Sequence, residues 1–137
     1  NTTEEEGRAF AATVRKRAPH FLEDCELWER LTSGDAVGSP QTLALEGFPS
    51  ALAPSTWRYL SYAALLEDAL GAEALGEASV AEIGGGYGGL ALVLLRRHPR
   101  LRCTLFDLPE TLALARRFLE AVLSPAEVER RGAVVGG

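Results

Sequence analysis

The segment Val80-Ala81-Glu82-Ile83-Gly84-Gly85-Gly86-Tyr87-Gly88-Gly89 runs directly into the apolar series Leu90 to Leu95. A short apolar stretch enters a cluster of glycines and a helix-like stretch leaves it. That order predicts a strand, a tight turn and a helix N-terminus. Glycines there let the backbone bend sharply and let a ligand approach the main chain without meeting a Cβ. The unpaired N–H groups of the first helical turn then face whatever sits above the strand. The turn is therefore a candidate ligand site.

Downstream, Leu90, Val93 and Leu94 give the departing helix its buried side, and His98-Pro99-Arg100 closes it. Leu101 to Leu108 reads as a second strand, carrying Cys103, Leu105 and Phe106 and ending in Asp107. Pro109 suits the first position of a helix running to about Leu123, with Leu112, Ala115, Leu119 and Val122 inward. Ser124-Pro125-Ala126-Glu127 has capping-box form and predicts a short helix ending near Gly132. Ala133-Val134-Val135-Gly136-Gly137 reads as a third strand just begun. Alternating strands and helices predict an α/β, Rossmann-like parallel sheet with right-handed crossovers.

Upstream the chain reads as helical. Thr3 and Glu6 have capping-box spacing, and the first helix runs to about Arg17, where Pro19 stops it. Phe21, Cys25, Trp28 and Leu31 fall on one face of a second helix that Gly34 ends. This aromatic stripe predicts helix–helix packing, with a pocket wall or a dimer face as alternatives. Residues 33–54 are punctuated by Gly and Pro yet retain Val37, Leu43, Leu45, Phe48 and Leu52, which predicts an ordered loop over the site. Ser55 or Thr56 is expected to cap the next helix, with Tyr59, Tyr62, Ala63, Leu66 and Leu70 as its apolar stripe. The expected division is a helical N-terminal cover and loop over 1–54, then the first part of the Rossmann-like domain over 55–137. The chain opens without methionine and stops where a strand begins, so it is expected to be part of a longer protein.

Composition narrows the function classes. A hydrophobic fraction of 47% over 137 residues suits a globular core. A net charge of −5 argues against a nucleic-acid partner, because phosphate neutralisation needs a basic face. No apolar run reaches the roughly 20 residues of a membrane span. Cys25 and Cys103 are isolated, which suggests neither a disulfide framework nor a metal site, and fits two free thiols in a reducing cytoplasm.

Ligands of a doubly wound sheet sit outside the carboxyl ends of its strands. Both strands deliver an acid there: Glu82, two residues before the first glycine, and Asp107, at the end of the second strand. Asp107 is placed to accept hydrogen bonds from a ribose diol. Gly84, Gly86 and Gly89 also satisfy the dinucleotide fingerprint, so the glycines alone fit NAD as well. Glu82 separates the two ligands. Beside a pyrophosphate a further carboxylate repels, whereas beside the ammonium group of S-adenosylmethionine it attracts. His98 is expected at a surface helix end, while His20 is a weak candidate for a catalytic group. Arg58 and Tyr59 are candidates for contact with cofactor or acceptor.

At this point the residues resemble a known family. Glu82-Ile83-Gly84-Gly85-Gly86-Tyr87-Gly88 is similar to the E-x-G-x-G-x-G motif of class I S-adenosylmethionine-dependent methyltransferases. Gly34-Asp35 with Gly38-Ser39-Pro40, then Pro54 through Tyr59, then Phe106-Asp107-Leu108-Pro109-Glu110 look most like the sugar O-methyltransferases. His98-Pro99-Arg100-Leu101 with Phe106 to Pro109 is similar also to O-methyltransferases of phenolic and polyketide products, which typically dimerise through N-terminal helices. The resemblance implies a cofactor site of Glu82, Gly84, Gly85, Gly86, Tyr87 and Gly88 at the methionine end, Asp107 at the ribose and Leu108 near the adenine, with Arg58 close by. It implies a small hydroxylated acceptor, sugar or natural product, and a homodimer as an option; no residue is assigned as a metal ligand. The catalytic base is not identified among these residues. A non-catalytic subunit that keeps the cofactor fold, and an NAD-linked oxidoreductase, are the alternatives.

Overall fold

The computed structural model describes residues 2–134. Its elements are α1 (Glu4–Arg17), α2 (His20–Glu23), α3 (Cys25–Leu31), a 3₁₀ turn (Ser33–Ala36), α4 (Pro54–Leu70) and α5 (Ala72–Gly76). They continue as β1 (Ser79–Ile83), α6 (Gly89–Arg97), β2 (Arg102–Phe106), α7 (Pro109–Val122) and α8 (Pro125–Arg131). β1 and β2 pair in parallel, with Ser79 opposite Arg102 and Ile83 opposite Phe106. The helix-linked parallel pair preceded by helices is the expected α/β architecture. Of the expected third strand, Ala133 and Val134 carry no regular structure, and residues 135–137 lie outside the described residues.

Local chemistry sets most boundaries. Thr3 and Glu6 form the reciprocal capping box that starts α1. Gly7, Ala11, Val14 and Ala18 recur on one face, and these small side chains bring α1 close to α4, its principal partner. Pro109 opens α7, and Gly132, at φ 63°, ends α8.

Four expectations about the helices need correction. The second helix is broken in two, because the Asp24 carboxylate accepts from the Leu27 N–H and starts a new helix there. The break turns Cys25 outward while Phe21, Trp28 and Leu31 stay buried. α4 begins at Pro54 rather than after a Ser55 or Thr56 cap. Its start is held from a distance by Asp35, which accepts from the Ala53 N–H at 2.8 Å and the Thr56 hydroxyl at 2.6 Å. The buried face of α4 is Trp57, Leu60, Ala64 and Glu67 together with Tyr59 and Ala63, whereas Tyr62 and Leu70 are exposed, because α4 lies between α1 and α6. Ser124 caps α8, but Glu127 turns toward Arg131 at 3.6 Å instead of completing the box.

The loop between the 3₁₀ turn and α4 is ordered. Leu43 and Leu52 exchange two backbone hydrogen bonds, and Phe48 meets Trp57 edge to face at 4.6 Å. Trp28 stacks nearby and donates its indole N–H to Ser50. The aromatic stripe therefore serves the chain's own core.

His98, expected at the surface, is buried, and its ring lies 3.7 Å from a Glu67 oxygen. Glu67 also accepts two hydrogen bonds from Arg97, at 2.8 and 3.0 Å, and lies 2.8 Å from His20. Burial pushes Glu67 up, but Arg97 and His20 outweigh it and hold it below the usual carboxylate range. Burial holds His98 below the usual histidine value. Arg131 is buried too and donates to the carbonyls of Leu95, His98 and Leu101, tying α8 to the α6–β2 turn. Among the described residues, no helix is long and apolar enough to cross a membrane.

Glu67 is itself buried and joins α2, α4 and α6 through half-exposed His20, partly buried Arg97 and buried His98. Glu67→Gln is expected to lower unfolding stability by about 3 kcal/mol, as for breaking one side of a buried ion pair. Chemical denaturation followed by circular dichroism measures it. A loss below about 0.5 kcal/mol, the range of ordinary surface substitutions, sinks this reading.

Candidate functional site

The strand pairing builds the site. Glu82 lies opposite Leu105, on the same sheet face as Val80 and Cys103. The Gly84 N–H then donates to the Phe106 carbonyl at 2.8 Å, so the two strands stay joined until the turn departs. The other sheet face is open: Ile83 is 87% exposed and Phe106 is 43% exposed. β1 is thus covered on one side only.

The glycine turn has the shape its sequence predicts. Gly84 and Gly86 stand at φ 72° and 58°, a region that favours glycine, and a Cβ on either would point into open space. That space lies beside the tips of both strands. Gly89 is needed for a different reason. A Cβ there would collide with the Tyr59 ring of α4 and the Tyr87 hydroxyl, so the helix start is wedged against α4.

Glu82 and Asp107 meet at this edge, in different states. Asp107 is half-buried and already accepts two hydrogen bonds, from the Gly86 N–H at 3.0 Å and the Leu108 N–H at 2.7 Å. It clasps the glycine turn to the end of β2. Glu82 has one carboxylate oxygen buried with no hydrogen-bond partner. Burial and then the charge of Asp107 push its pKa up to about 7. A carboxylate kept without a donor in such a place suits a cationic group brought by a ligand.

Tyr87 projects from the turn toward α4 and α7. Its hydroxyl is 3.3 Å from that of Ser55, and its ring meets Phe118 edge to face at 4.9 Å and Tyr59 at 5.8 Å. Burial pushes its phenol up to about 12, so it remains a neutral hydrogen-bonding group. Arg58 donates to the Tyr59 hydroxyl at 3.1 Å and lies over that ring, one residue removed from the turn. Its Nε is buried without a partner. Leu108 is 68% exposed at the mouth of the site.

The structure brings Glu82, Gly84, Gly85, Gly86, Tyr87, Gly88, Asp107 and Leu108 together, with Arg58 behind Tyr59. It does not bring the histidines there. His20 and His98 both address Glu67, which leaves His20 no part in the site. Sequence reading passed over Tyr59 as a wedge against Gly89 and Phe118 as a partner of Tyr87. Among the described residues no group of His, Cys, Asp and Glu could hold a metal ion.

Comparison with known proteins gives the family. The O-methyltransferase domain family matches residues 61–134, more than half of the chain and the whole strand–turn–helix unit. The O-methyltransferase kk1A of Curvularia clavata is 56% identical over 39 residues, 28% of this chain and 9% of that protein. Tabersonine 16-O-methyltransferase of Catharanthus roseus is 47% identical over 38 residues, 28% of this chain and 11% of that protein. Among solved structures, CalO1, a methyltransferase in calicheamicin biosynthesis in its SAH-bound form, matches 98% of this chain and 37% of its own. That match has 24% identity and a TM-score of 0.37. The chain thus spans well under half the length of the proteins it matches. Taken with the glycine turn and its two strands, the family match makes this chain a member of the O-methyltransferase domain family.

Proposed function

We propose that this chain forms the cofactor-binding part of an S-adenosylmethionine-dependent O-methyltransferase acting on a hydroxyl of a natural product. The observation that carries the reading is the Glu82 carboxylate, one oxygen of which is buried with no hydrogen-bond partner, beside the open glycine turn. In this reading Glu82 takes the ammonium of the methionine moiety, and Gly84 to Gly88 admit that moiety to the backbone. Asp107 exchanges its hold on Gly86 for the ribose hydroxyls, Leu108 lies along the adenine, and Arg58 braces the site through Tyr59. The cofactor supplies an electrophilic methyl group, which an acceptor hydroxyl oxygen attacks in line; the protein's share is chiefly positioning. A base must take the hydroxyl proton. The paired Glu67–His20–His98 cluster is not a source of it. Free Cys25 and Cys103 suit a reducing cytoplasm.

Two observations bear on the acceptor. The Pro54–Tyr59 segment supports a sugar hydroxyl, and a relative named for methylating tabersonine supports a different natural product. NAD is the competing cofactor, and Glu82 disfavours it because its carboxylate would face a pyrophosphate.

Calorimetric titration with S-adenosylmethionine and with NAD is the direct test, and tighter binding of NAD would sink the reading. The pH dependence is a sharper test. Glu82 has a pKa of about 7 without ligand, and only its ionised form attracts an ammonium, so below pH about 7 binding must expel a proton. Affinity for S-adenosylmethionine is therefore expected to fall about tenfold per pH unit between about pH 7 and 5, and to stay flat just above. Adenosine, lacking the ammonium, is expected to show no such slope, and Glu82→Gln is expected to remove it. A slope that persists in the Gln variant assigns the proton elsewhere.

Asp107→Ala is expected to weaken S-adenosylmethionine binding by at least about 1 kcal/mol, the scale of a lost charged acceptor. The same substitution frees the Gly86 N–H, whose hydrogen exchange should speed up in the ligand-free chain. Unchanged affinity would remove Asp107 from the ribose role; unchanged exchange would remove it from the clasp.

A further inference from the structure

Three basic side chains crowd one buried carboxylate at the end of α6 remote from the glycine turn. Glu67 Oε1 lies 2.8 Å from Arg97 Nη2 and 2.8 Å from His20 Nε2. Its Oε2 lies 3.0 Å from Arg97 Nε and 3.7 Å from His98 Nε2. The last distance is beyond hydrogen-bond reach, and the buried His98 Nε2 makes no hydrogen bond at all. We propose that this cluster is an acid-sensitive latch: a proton taken up by His98 draws the Glu67 carboxylate onto His98 and frees His20, which loosens α2 from α4 and α6.

The proton has a way in. His98 is buried, yet its ring lines a cleft of about 300 Å³ between α5 and the α6–β2 turn. Its Nδ1 stands 3.7 Å from where a Cβ on Gly76 would lie, so one ring nitrogen faces α5 and the other faces Glu67. A neutral imidazole has one N–H, whereas the charged ring is a donor on both sides. Other charges surround it: Arg97 on its own helix, Glu73, Glu77 and Arg100 around the cleft, and Arg131, which donates to the His98 carbonyl at 2.6 Å. Glu77 is engaged by Arg100 at 2.9 Å. Among the described residues, Glu67 is the acid that the His98 ring can reach.

Crowding decides which partner leaves. A charged His98 adds a cation to a carboxylate that Arg97 already holds through two hydrogen bonds. The Arg97 side chain is 24% exposed and doubly attached, whereas that of His20 is 43% exposed and singly attached, so His20 regains water most readily. Phe21 is fully buried and keeps α2 seated, which makes the change a loosening of one turn rather than unfolding. Burial holds His98 below its ordinary value of 6.5, against the pull of Glu67. The contribution of neutral His98 to stability is therefore full above about pH 6.5 and is lost as pH falls through the folded value. Glu67 is held below its ordinary value of 4.5, so it stays ionised between those two values and can receive the new donor.

The test follows the imidazole nitrogens of both histidines by NMR from about pH 8 to about pH 4.5, with amide protection factors measured at each end. His98 is expected to titrate below about pH 6.5, with the His20 Nε2 signal shifting at the same midpoint. The Phe21 and Leu22 amides, which donate to Ala18 and Pro19, are expected to lose roughly tenfold in protection, the scale of one charge-assisted hydrogen bond. The Val93 and Leu94 amides of α6 are expected to keep theirs. His98→Gln takes up no proton and is expected to abolish the loss at Phe21 and Leu22, while His20→Gln is expected to leave the His98 titration in place. The proposal is overturned if His98 stays neutral down to about pH 4.5, if it titrates with no response at His20, or if α2 loosens equally in His98→Gln. Should that variant not fold, the wild-type midpoints decide alone: coincident ones support the latch and separate ones overturn it.

Discussion

The parallel register of β1 and β2 is the constraint on which the rest of this structure depends. With Ile83 opposite Phe106 and the Gly84 N–H on the Phe106 carbonyl, the strands end level, and both chains must turn away at one edge. That ending puts Glu82 under the turn and Asp107 against it. A register slip of one residue would send Glu82 to the open face, turn Ile83 inward and pull Asp107 off Gly86. The Asp107 clasp in turn holds the turn near β2. The wedge of Tyr59 against Gly89 then sets the start of α6 relative to α4.

The helices upstream are fixed to this edge by polar anchors as much as by apolar contact. Glu67 gathers Arg97, His20 and His98 between α2, α4 and α6, and Asp35 reaches across to hold the start of α4. A buried charge tolerates little displacement, because each partner it loses leaves a group desolvated and unpaired. The wall shared by Tyr87 and Ser55 is therefore held between two rigid attachments. The loop after the 3₁₀ turn inherits that rigidity through Asp35 and through Phe48 on Trp57.

What the sequence made legible is what local chemistry controls. The Gly84–Gly89 turn, the Pro109 start, the Thr3–Glu6 box and the Gly132 stop each rest on a few adjacent residues, and each was readable there. The misreadings of α4 and of His98 share one cause: a partner distant in sequence. Asp35 sits 18 residues before the Ala53 N–H it holds, so Ser55 and Thr56 looked like the only available caps. Glu67 lies 30 residues from Arg97, so its stripe read as purely apolar, and His98 read as a surface cap. The break at Asp24 was local and could have been read: an acid three residues before Leu27 is an N-cap signal, masked by an aromatic periodicity that continued across it. In the site, Glu82 and Asp107 were legible because strand ends follow from the glycines. Tyr59 and Phe118 were not, because their roles depend on helices crossing.

Glu82 breaks the rule that buried charges are paired, and its departure has a sign that can be followed. Its folded pKa, about 7, lies above the ordinary value of 4.5, so its contribution to stability is fully present at acid pH and is lost as pH rises through about 7. Near neutrality the ligand-free fold thus carries a strained acid beside a second one that is fully occupied. Local rules of this kind are broken mainly at functional sites, where a ligand restores what the fold withholds. A cation entering beside Glu82 relieves both its desolvation and its repulsion from Asp107, while an anion worsens both. Two like charges at one sheet edge therefore exclude a phosphate from a turn whose glycines, taken alone, would admit one.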